Sequence, residues 1–225
     1  RRSSDLEISS FESDIEYFAK FYDPDTRRWL FDDFDWWFND PGDSRAYVLL
    51  GDAGVGKTII AAALAKRALE RKSFGACYFC LHKDTLRSDP RNLIGTVAYQ
   101  LCEYNEEYRT NVGGRSRVTT ILANSALGLI ELFTKLLQEP LGKCNTHSKR
   151  MLVIIDALDE TNHESRKDFF YVLRDRFPLL PKWLVFFITS RPEETVKFNL
   201  KRYNPCIKIC AGNDQDDDYY RQHEE

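Results

Sequence analysis

The chain has 225 residues, of which 43% are hydrophobic and 30% are charged, and its formal net charge is -3. A charge so close to neutral argues against a dedicated nucleic-acid surface and against electrostatic recruitment to a membrane. No apolar run approaches the roughly 20 residues of a membrane-spanning helix. The length predicts one domain with a sizeable core, or one domain with a small appendage.

The six cysteines lie mostly in apolar, strand-like runs such as ACYFCL and CIKIC. In a chain of this size, scattered cysteines indicate reduced, buried thiols and an intracellular, cytoplasmic protein. Cys77 and Cys80 have C-x-x-C spacing with His82 nearby, but a zinc site needs further ligands, and CIKIC has the wrong spacing to supply them. No signal-peptide pattern opens the sequence, and its start at Arg1 leads us to expect a fragment of a longer protein.

The first half of the chain alternates between helical and strand-like patterns. Residues 1–24 are a polar flanking segment with a weak helical pattern in FESDIEYFAKFY. The pattern then predicts a helix in RRWLFDDFDWWF, a buried strand in AYVLLG, a helix in KTIIAAALAKRALERK, a second strand in GACYFCL and a helix in NLIGTVAYQLCEYN. The basic, glycine-containing stretch RTNVGGRSRVTT predicts a loop.

The second half begins with one long predicted helix in ILANSALGLIELFTKLLQEPL, ending at Pro140. It continues with a third strand in RMLVIID, a helix in ESRKDFFYVLRDRF, a fourth strand in LVFFITS and a fifth in PCIKIC. Residues 213–225 are acidic and are expected to start a further segment that is truncated here. Apolar strands without polar alternation, separated by helices, predict a parallel sheet with helices on both faces.

The stretch GDAGVGKT fits the pattern G-x-x-x-x-G-K-[ST], with a strand before it and a helix after it. Glycines let such a loop turn its N–H groups towards phosphate oxygens, and the helix adds its positive N-terminal end. We expect Lys57 to reach the β- and γ-phosphates during catalysis and Thr58 to supply a hydroxyl to Mg²⁺. The residues predicted to bind the nucleotide here are Gly51, Ala53, Gly54, Val55, Gly56, Lys57, Thr58 and Ile59.

Three carboxylates follow the third predicted strand in MLVIIDALDE, residues 151–160. Ligands of parallel sheets bind at the carboxyl ends of the strands, so Asp156 is expected beside GDAGVGKT, the predicted phosphate loop. It is expected to be a direct or second-sphere partner of Mg²⁺, and the direct role as a metal ligand is favoured. Glu160 is the candidate for orienting the attacking water, with Asp159 as its competitor. The alternative is that the two acids cap the helix that follows.

Arg191 follows the fourth predicted strand in FFITSRPEE, at the same edge of the sheet. Its guanidinium is expected to bond the γ-phosphate of ATP and to lose that contact after hydrolysis. The alternative is a surface arginine paired with Glu193, Glu194 or the acidic tail.

The nucleotide is predicted to be ATP or ADP, because no Asn-Lys-x-Asp loop of the kind that reads guanine occurs late in the chain. Adenine is held mostly by apolar contacts and backbone groups. The segment before the phosphate loop offers Thr26, Arg28 and Trp29 as the nearest candidates to bind it. The alternative is that the aromatic residues of this segment only pack a helix onto the sheet.

Together GDAGVGKT, LVIIDALDE and FFITSRPE resemble the NACHT subgroup of STAND NTPases, which are P-loop proteins related to the AAA+ ATPases. Ala157 matches the small residue that follows the Mg²⁺-binding aspartate in that subgroup, and Asp159 with Glu160 matches its acidic pair. The similarity covers about residues 25–212, which are expected to form the nucleotide-binding domain, and it implies that residues 213–225 start a helical domain that is truncated here. It implies an α/β fold, a three-layer αβα P-loop NTPase sandwich with a parallel five-stranded sheet of order 5-1-4-3-2.

The resemblance also implies a regulatory switch that is closed with ADP, opens and self-associates with ATP, and hydrolyses ATP slowly. We therefore predict an ATP/ADP-binding switch module of a larger intracellular signalling protein, with Mg²⁺ as the metal. One alternative is a non-hydrolysing scaffold that keeps ADP as a structural ligand. Another is a metabolic P-loop kinase whose lid would be the basic stretch RTNVGGRSR.

Overall fold

A parallel sheet of five strands forms the middle layer in the computed structural model, which describes residues 11–40, 42–145 and 149–210. The strands pair in the order β2-β3-β4-β1-β5, and every pair is parallel. Read from the other edge, this is the predicted order 5-1-4-3-2, which is therefore confirmed. The strands are β1 (Ala46–Gly51), β2 (Phe74–Phe79), β3 (Met151–Asp156), β4 (Leu184–Ser190) and β5 (Cys206–Cys210).

Helices cover both faces of the sheet. Within the described ranges, none of them is both long enough and apolar enough to cross a membrane. A π-helical turn at Thr134–Gln138 joins α7 to α8. The helices are α1 (Phe11–Ala19), α2 (Arg28–Asn39), α3 (Lys57–Glu70), α4 (Pro90–Tyr104), α5 (Glu106–Val112), α6 (Arg115–Leu122), α7 (Leu129–Phe133), α8 (Glu139–Gly142), α9 (His163–Asp175) and α10 (Glu194–Leu200).

Two hydrophobic cores lie on opposite faces of the sheet. Helices α1, α2 and α3 pack into one core, and helices α4 to α10 pack into the other. Alternate residues of a strand enter different cores, so that Val48 packs on the α4 side while Tyr47 and Leu49 pack on the α3 side. This two-sided burial explains the unbroken apolar run AYVLL, and it confirms the three-layer αβα prediction.

Helix α1 packs into the core beside α3, although the sequence predicts residues 1–24 as a flanking segment. Phe11 and Ile15 are buried. The Phe11 ring stacks on Phe74 with their centroids 6.1 Å apart, and Phe18 lies 5.4 Å from Phe79. Helix α1 therefore runs over β2, and its C-terminal end reaches the carboxyl end of that strand.

The prediction of a loop in RTNVGGRSRVTT is wrong, because helices α5 and α6 cover most of this stretch. Asn105 starts α5 by accepting the N–H of Tyr108 at 2.9 Å, and Gly113 ends the helix with a left-handed φ of 87°. Tyr108 and Val118 are fully buried beneath the basic surface residues. The few apolar positions lie among basic residues and glycines, and such a composition is typical of a loop, so the sequence pattern did not indicate these helices.

The single long helix predicted up to Pro140 is also wrong. The chain leaves the helical conformation after Leu122 and resumes it at Leu129, because Asn124 forms a turn in which its side chain accepts the N–H of Ala126 at 3.1 Å. Helical structure then continues through the π-helical turn at Thr134–Gln138 into α8, so Pro140 does not end it. The acidic segment 213–225 lies outside the described residues.

The two thiols with C-x-x-C spacing are buried and separated by the sheet. Cys77 belongs to the core beside α3, whereas Cys80 belongs to the core on the opposite face. Burial raises the pKa of both thiols well above the usual range. Two thiols held in this way have no shared space for a metal ion.

Candidate functional site

The loop between β1 and α3 is shaped by two glycines. Gly54 has a φ of 84° and Gly56 a φ of 89°, a left-handed conformation that L-residues adopt only with strain. Gly56 is also the N-cap of α3. The loop therefore opens directly onto the first N–H groups of a 14-residue helix, where an anion is stabilised by the helix dipole.

Lys57 reaches back over this loop from the first turn of α3. Its Nζ atom donates to the carbonyl oxygens of Gly51 and Asp52, both at 2.7 Å. The ammonium group is thereby held at the concave side of the loop. A cation in this position adds its charge to the N-terminal end of the helix.

Thr58 and Asp156 meet across the carboxyl ends of β1 and β3. The Thr58 hydroxyl donates to Asp156 Oδ2 at 2.8 Å, and the Thr189 hydroxyl donates to Asp156 Oδ1 at 2.6 Å. Burial raises the pKa of the Asp156 carboxyl, while the two hydroxyl bonds and the charge of Lys57 act in the opposite direction. The result is a buried carboxylate and an adjacent hydroxyl, which are the hard oxygen ligands that Mg²⁺ binds.

A left-handed residue turns the chain directly after Asp156. Ala157 has a φ of 53° and a ψ of 50°, and its N–H donates to Thr189 Oγ1 at 2.8 Å. A 3₁₀ turn at Leu158–Glu160 follows, closed by the Glu160 N–H bonding the Ala157 carbonyl at 2.8 Å. This turn brings both remaining acids of the motif to the edge of the sheet where the phosphate loop lies.

The Asp159 carboxylate bonds groups at the end of β4. One of its carboxylate oxygens accepts the hydroxyl of Ser190 at 3.2 Å and the N–H of Arg191 at 3.0 Å. The other oxygen pairs with Arg191 Nε at 2.9 Å, and the Asp159 side chain is only 4% exposed. Arg191 thus pairs with Asp159 rather than with Glu194, which pairs with Lys197 instead.

Glu160 has a different environment from Asp159. Its Oε2 atom accepts the backbone N–H of His82 at 2.9 Å, from the loop that follows β2. The side chain is half-buried and faces a cleft. The two acids thus bond groups at the ends of β2 and β4 rather than the first N–H groups of α9, which does not favour the helix-capping alternative.

These groups surround one cleft of about 520 Å³, within the range of small-molecule sites. Of the predicted site residues, it brings together Ala53, Gly54, Gly56, Lys57, Thr58, Ile59, Asp156, Asp159, Glu160 and Arg191. Gly51 and Val55 belong to the same loop and contribute their carbonyl oxygens to Lys57 and Arg27.

Thr26, Arg28 and Trp29 do not line this cleft in the described structure. The Thr26 hydroxyl donates to the Asp23 carbonyl at 2.8 Å. Arg28 lines a different cleft beside Tyr22, on the outer side of α3, and Trp29 packs half-buried against the core. Their predicted role in binding adenine therefore stays a prediction that this geometry does not favour.

Arg27 contacts the phosphate loop, although the sequence analysis did not select it. Its Nη1 atom donates to the Val55 carbonyl at 2.5 Å and lies near Gly56. The contact depends on a left-handed φ of 53° at Arg27 itself, directly before α2. No sequence signal announces such a conformation at an arginine.

The cleft also has an apolar wall and a further cation that the sequence reasoning missed. Tyr17, Phe18 and Phe21 line it from α1 and the residues after it, and Arg87 lines it from the loop after β2. Tyr17 and Phe21 are more than half exposed, with ring centroids 5.4 Å apart. The helical pattern of this segment was weak, and its contact with the site depends on how α1 crosses β2.

Comparison with known proteins identifies a protein family whose sequence model matches this chain. The family model described as nephrocystin 3, N-terminal, matches residues 25–191, more than half of the chain. A comparison with curated proteins found no relative.

Solved structures share the fold at low sequence identity. Cdc6p from Pyrobaculum aerophilum has a TM-score of 0.56 at 13% identity, with 91% of this chain and 51% of that chain covered. A chain in the structure of Drosophila ORC bound to GC-rich DNA and Cdc6 has a TM-score of 0.50 at 12% identity, with 95% of this chain and 34% of that chain covered. The chain thus spans about half the length of the first and about a third of the second. Likeness at such identities shows the fold alone.

Proposed function

The chain belongs to the nephrocystin 3, N-terminal family, and on that premise we propose that it is an ATP/ADP-binding switch module of a larger cytoplasmic signalling protein. In this function slow, Mg²⁺-dependent ATP hydrolysis is coupled to opening and self-association. The observation that carries the proposal is the 2.8 Å contact between the Thr58 hydroxyl and Asp156, at the start of a helix that follows a glycine-shaped loop. Metal and phosphate ligands of the expected types are adjacent there.

Phosphate binding is supported by the loop and by Lys57. The first N–H groups of a helix such as α3 have no acceptor within the helix, and phosphate oxygens can serve as their acceptors. The Lys57 ammonium now bonds two loop carbonyls. Phosphate oxygens inside the loop would replace these carbonyls as acceptors for Lys57, and the resulting charge-assisted hydrogen bonds are shorter and stronger.

Magnesium binding is supported by the oxygen donors of Thr58 and Asp156. Both are hard ligands, and they are adjacent in the same cleft as Lys57. Mg²⁺, when bound, neutralises charge that develops on the phosphates. Thr189 keeps one Asp156 oxygen fixed and leaves the other to face Thr58.

Hydrolysis is assigned to Glu160 rather than to Asp159. A group that orients water needs a carboxylate oxygen facing the cleft. Glu160 lines the cleft and accepts one backbone N–H, whereas the nearly buried Asp159 carboxylate accepts three bonds from the end of β4. Asp159 therefore acts as a positioning residue for Arg191, whose guanidinium contacts the γ-phosphate.

A second candidate is a scaffold that retains ADP without turnover. It is favoured by one observation, the ion pair that keeps the Arg191 guanidinium on Asp159. If Arg191 stays there when ATP binds, the γ-phosphate gains no contact from this residue. Turnover distinguishes the two candidates.

The test is release of inorganic phosphate from Mg-ATP by the purified protein, beside Lys57→Ala and Glu160→Gln variants. We expect slow release by the wild type, none above background by Lys57→Ala, and nucleotide binding without turnover by Glu160→Gln. Binding of Mg-ATP with no release above the Lys57→Ala background favours the scaffold. No binding of either nucleotide removes the proposed function altogether.

A further inference from the structure

We propose that Arg87 is a third phosphate-binding cation of the cleft, selective for ATP over ADP, and that Asp14 of α1 holds it until ATP binds. This inference deepens the proposed function and rests on it. Arg87 lies in the loop between β2 and α4, outside every motif of the sequence analysis. Its selectivity follows from where that loop lies.

The loop after β2 forms the wall of the cleft at the expected γ-phosphate end. The His82 N–H bonds Glu160 Oε2 at 2.9 Å, and the Asn162 N–H bonds the Ser88 carbonyl at 2.8 Å. The loop is therefore fixed to the turn that carries Glu160, the residue assigned to the attacking water. Arg87 lines the cleft on this same wall.

The Arg87 guanidinium is held by two carboxylates outside the phosphate loop. Its Nη2 atom pairs with Asp14 Oδ2 at 2.5 Å, and its Nε atom lies 3.8 Å from Asp84 Oδ2. The Arg87 side chain is 30% exposed and already lines the cleft. Asp14 precedes Tyr17 by one turn of α1, which places this pair beside the aromatic wall of the cleft.

The charges of the cleft explain why a further cation is needed for ATP. Asp156, Asp159 and Glu160 all line the cleft, and the pairing of Arg191 with Asp159 offsets part of the positive charge that Arg191 brings. The terminal phosphate of ATP brings additional negative charge to this acidic end, and repulsion from Glu160 opposes it. ADP does not reach this end, because it lacks that phosphate. A guanidinium binds phosphate oxygens with a bidentate geometry that suits this position.

If Arg87 exchanges Asp14 for the γ-phosphate, the bound nucleotide also affects how α1 is attached to the rest of the domain. When the guanidinium turns to the γ-phosphate, Asp14 loses its ion pair. The carboxylate then faces water at the surface of α1, about one helical turn before the exposed ring of Tyr17. The ATP-bound form thus differs from the ADP-bound form in how α1 is attached to the β2–α4 loop.

The test compares dissociation constants of Mg-ATP and Mg-ADP by titration of the purified protein. We expect Arg87→Gln to weaken ATP binding about tenfold and ADP binding less than twofold, with Arg87→Lys in between. Arg67→Gln is the matched control, because Arg67 is 33% exposed and pairs with Asp35 at 2.7 Å on the outer side of α3. The control is expected to change neither constant.

The role of Asp14 is tested with the same measurement. Asp14→Asn releases Arg87 and is expected to tighten ATP binding about threefold, and to have no effect in an Arg87→Gln background. Equal weakening of ATP and ADP by Arg87→Gln, or no weakening, overturns the inference while the proposed function stands. Wild-type protein that binds Mg-ATP no better than Lys57→Ala overturns both.

Discussion

Asp159 holds Arg191 at two points, through the backbone N–H at 3.0 Å and through Nε at 2.9 Å. We expect Asp159→Asn to loosen the guanidinium and to lower phosphate release about tenfold, while the dissociation constant of ADP stays within twofold. Stability should fall by about 1 kcal/mol, because Arg191 is half exposed and is not left as a buried charge.

Glu160→Gln is the comparison for this prediction, measured by kcat and KM for Mg-ATP. It should abolish turnover, whereas Asp159→Asn should leave a measurable kcat. Equal loss of kcat in the two variants would assign the water-orienting role to Asp159 as well.

Asp156→Asn distinguishes the proposed metal-binding role of Asp156 from its effect on the stability of the fold. The buried Asp156 carboxyl has a raised pKa, so its ionised form destabilises the folded state at neutral pH. Its favourable contribution is present below the unfolded pKa and is lost as the pH rises through the folded pKa. An asparagine keeps the acceptor for one hydroxyl and removes the charge.

We therefore expect Asp156→Asn to unfold at the same temperature as the wild type or above it when Mg²⁺ and nucleotide are absent. Adding Mg-ATP should raise the unfolding temperature of the wild type and leave that of the variant unchanged. A variant that Mg-ATP still stabilises fully would contradict the assignment of Asp156 as a metal ligand.

Ala157 carries backbone strain that a glycine relieves. Its φ of 53° costs an L-residue about 1–2 kcal/mol, and glycine loses about 0.5–1 kcal/mol of entropy on folding. Ala157→Gly should therefore raise the free energy of unfolding by about 0.5–1 kcal/mol in urea titration. Ala157→Val, with a β-branched side chain at positive φ, should lower it by about 2 kcal/mol or more.

Arg27 and Arg28 form a natural pair of variants for the phosphate loop. Arg27 bonds the Val55 carbonyl, whereas Arg28 lies in a separate cleft. Arg27→Ala should weaken ATP and ADP equally, by about tenfold, because the loop that binds both loses a charge-assisted bond. Arg28→Ala should leave both dissociation constants unchanged. Weaker binding in Arg28→Ala would restore its predicted contact with the base.

The sequence predicted the parts of the site that depend on local pattern. GDAGVGKT determines the loop and the start of α3, and a continuous apolar strand ending at Asp156 predicts the carboxylate at the sheet edge. The strand order came from the family resemblance, and the pairing of the strands confirms it.

Local sequence patterns could not predict contacts between segments that are far apart along the chain. Asp159 lies 32 residues from Arg191 along the chain, so their pairing depends on the angle at which the turn after β3 meets the end of β4. The contact of Arg27 with Val55 depends on a left-handed arginine. Helices α5 and α6 escaped prediction because only a few buried residues under a basic surface define them.

Strand β4 sets the width of the site. It lies between β1 and β3, so the loop after β1 and the carboxylate at the end of β3 are two strand spacings apart, about 10 Å. Thr189 of β4 lies fully buried in that gap, where its hydroxyl donates to Asp156 and accepts the Ala157 N–H. A bulkier side chain at position 189 would displace Asp156 or the turn at Ala157, so the position of the carboxylate depends on a small side chain one residue before the end of the middle strand.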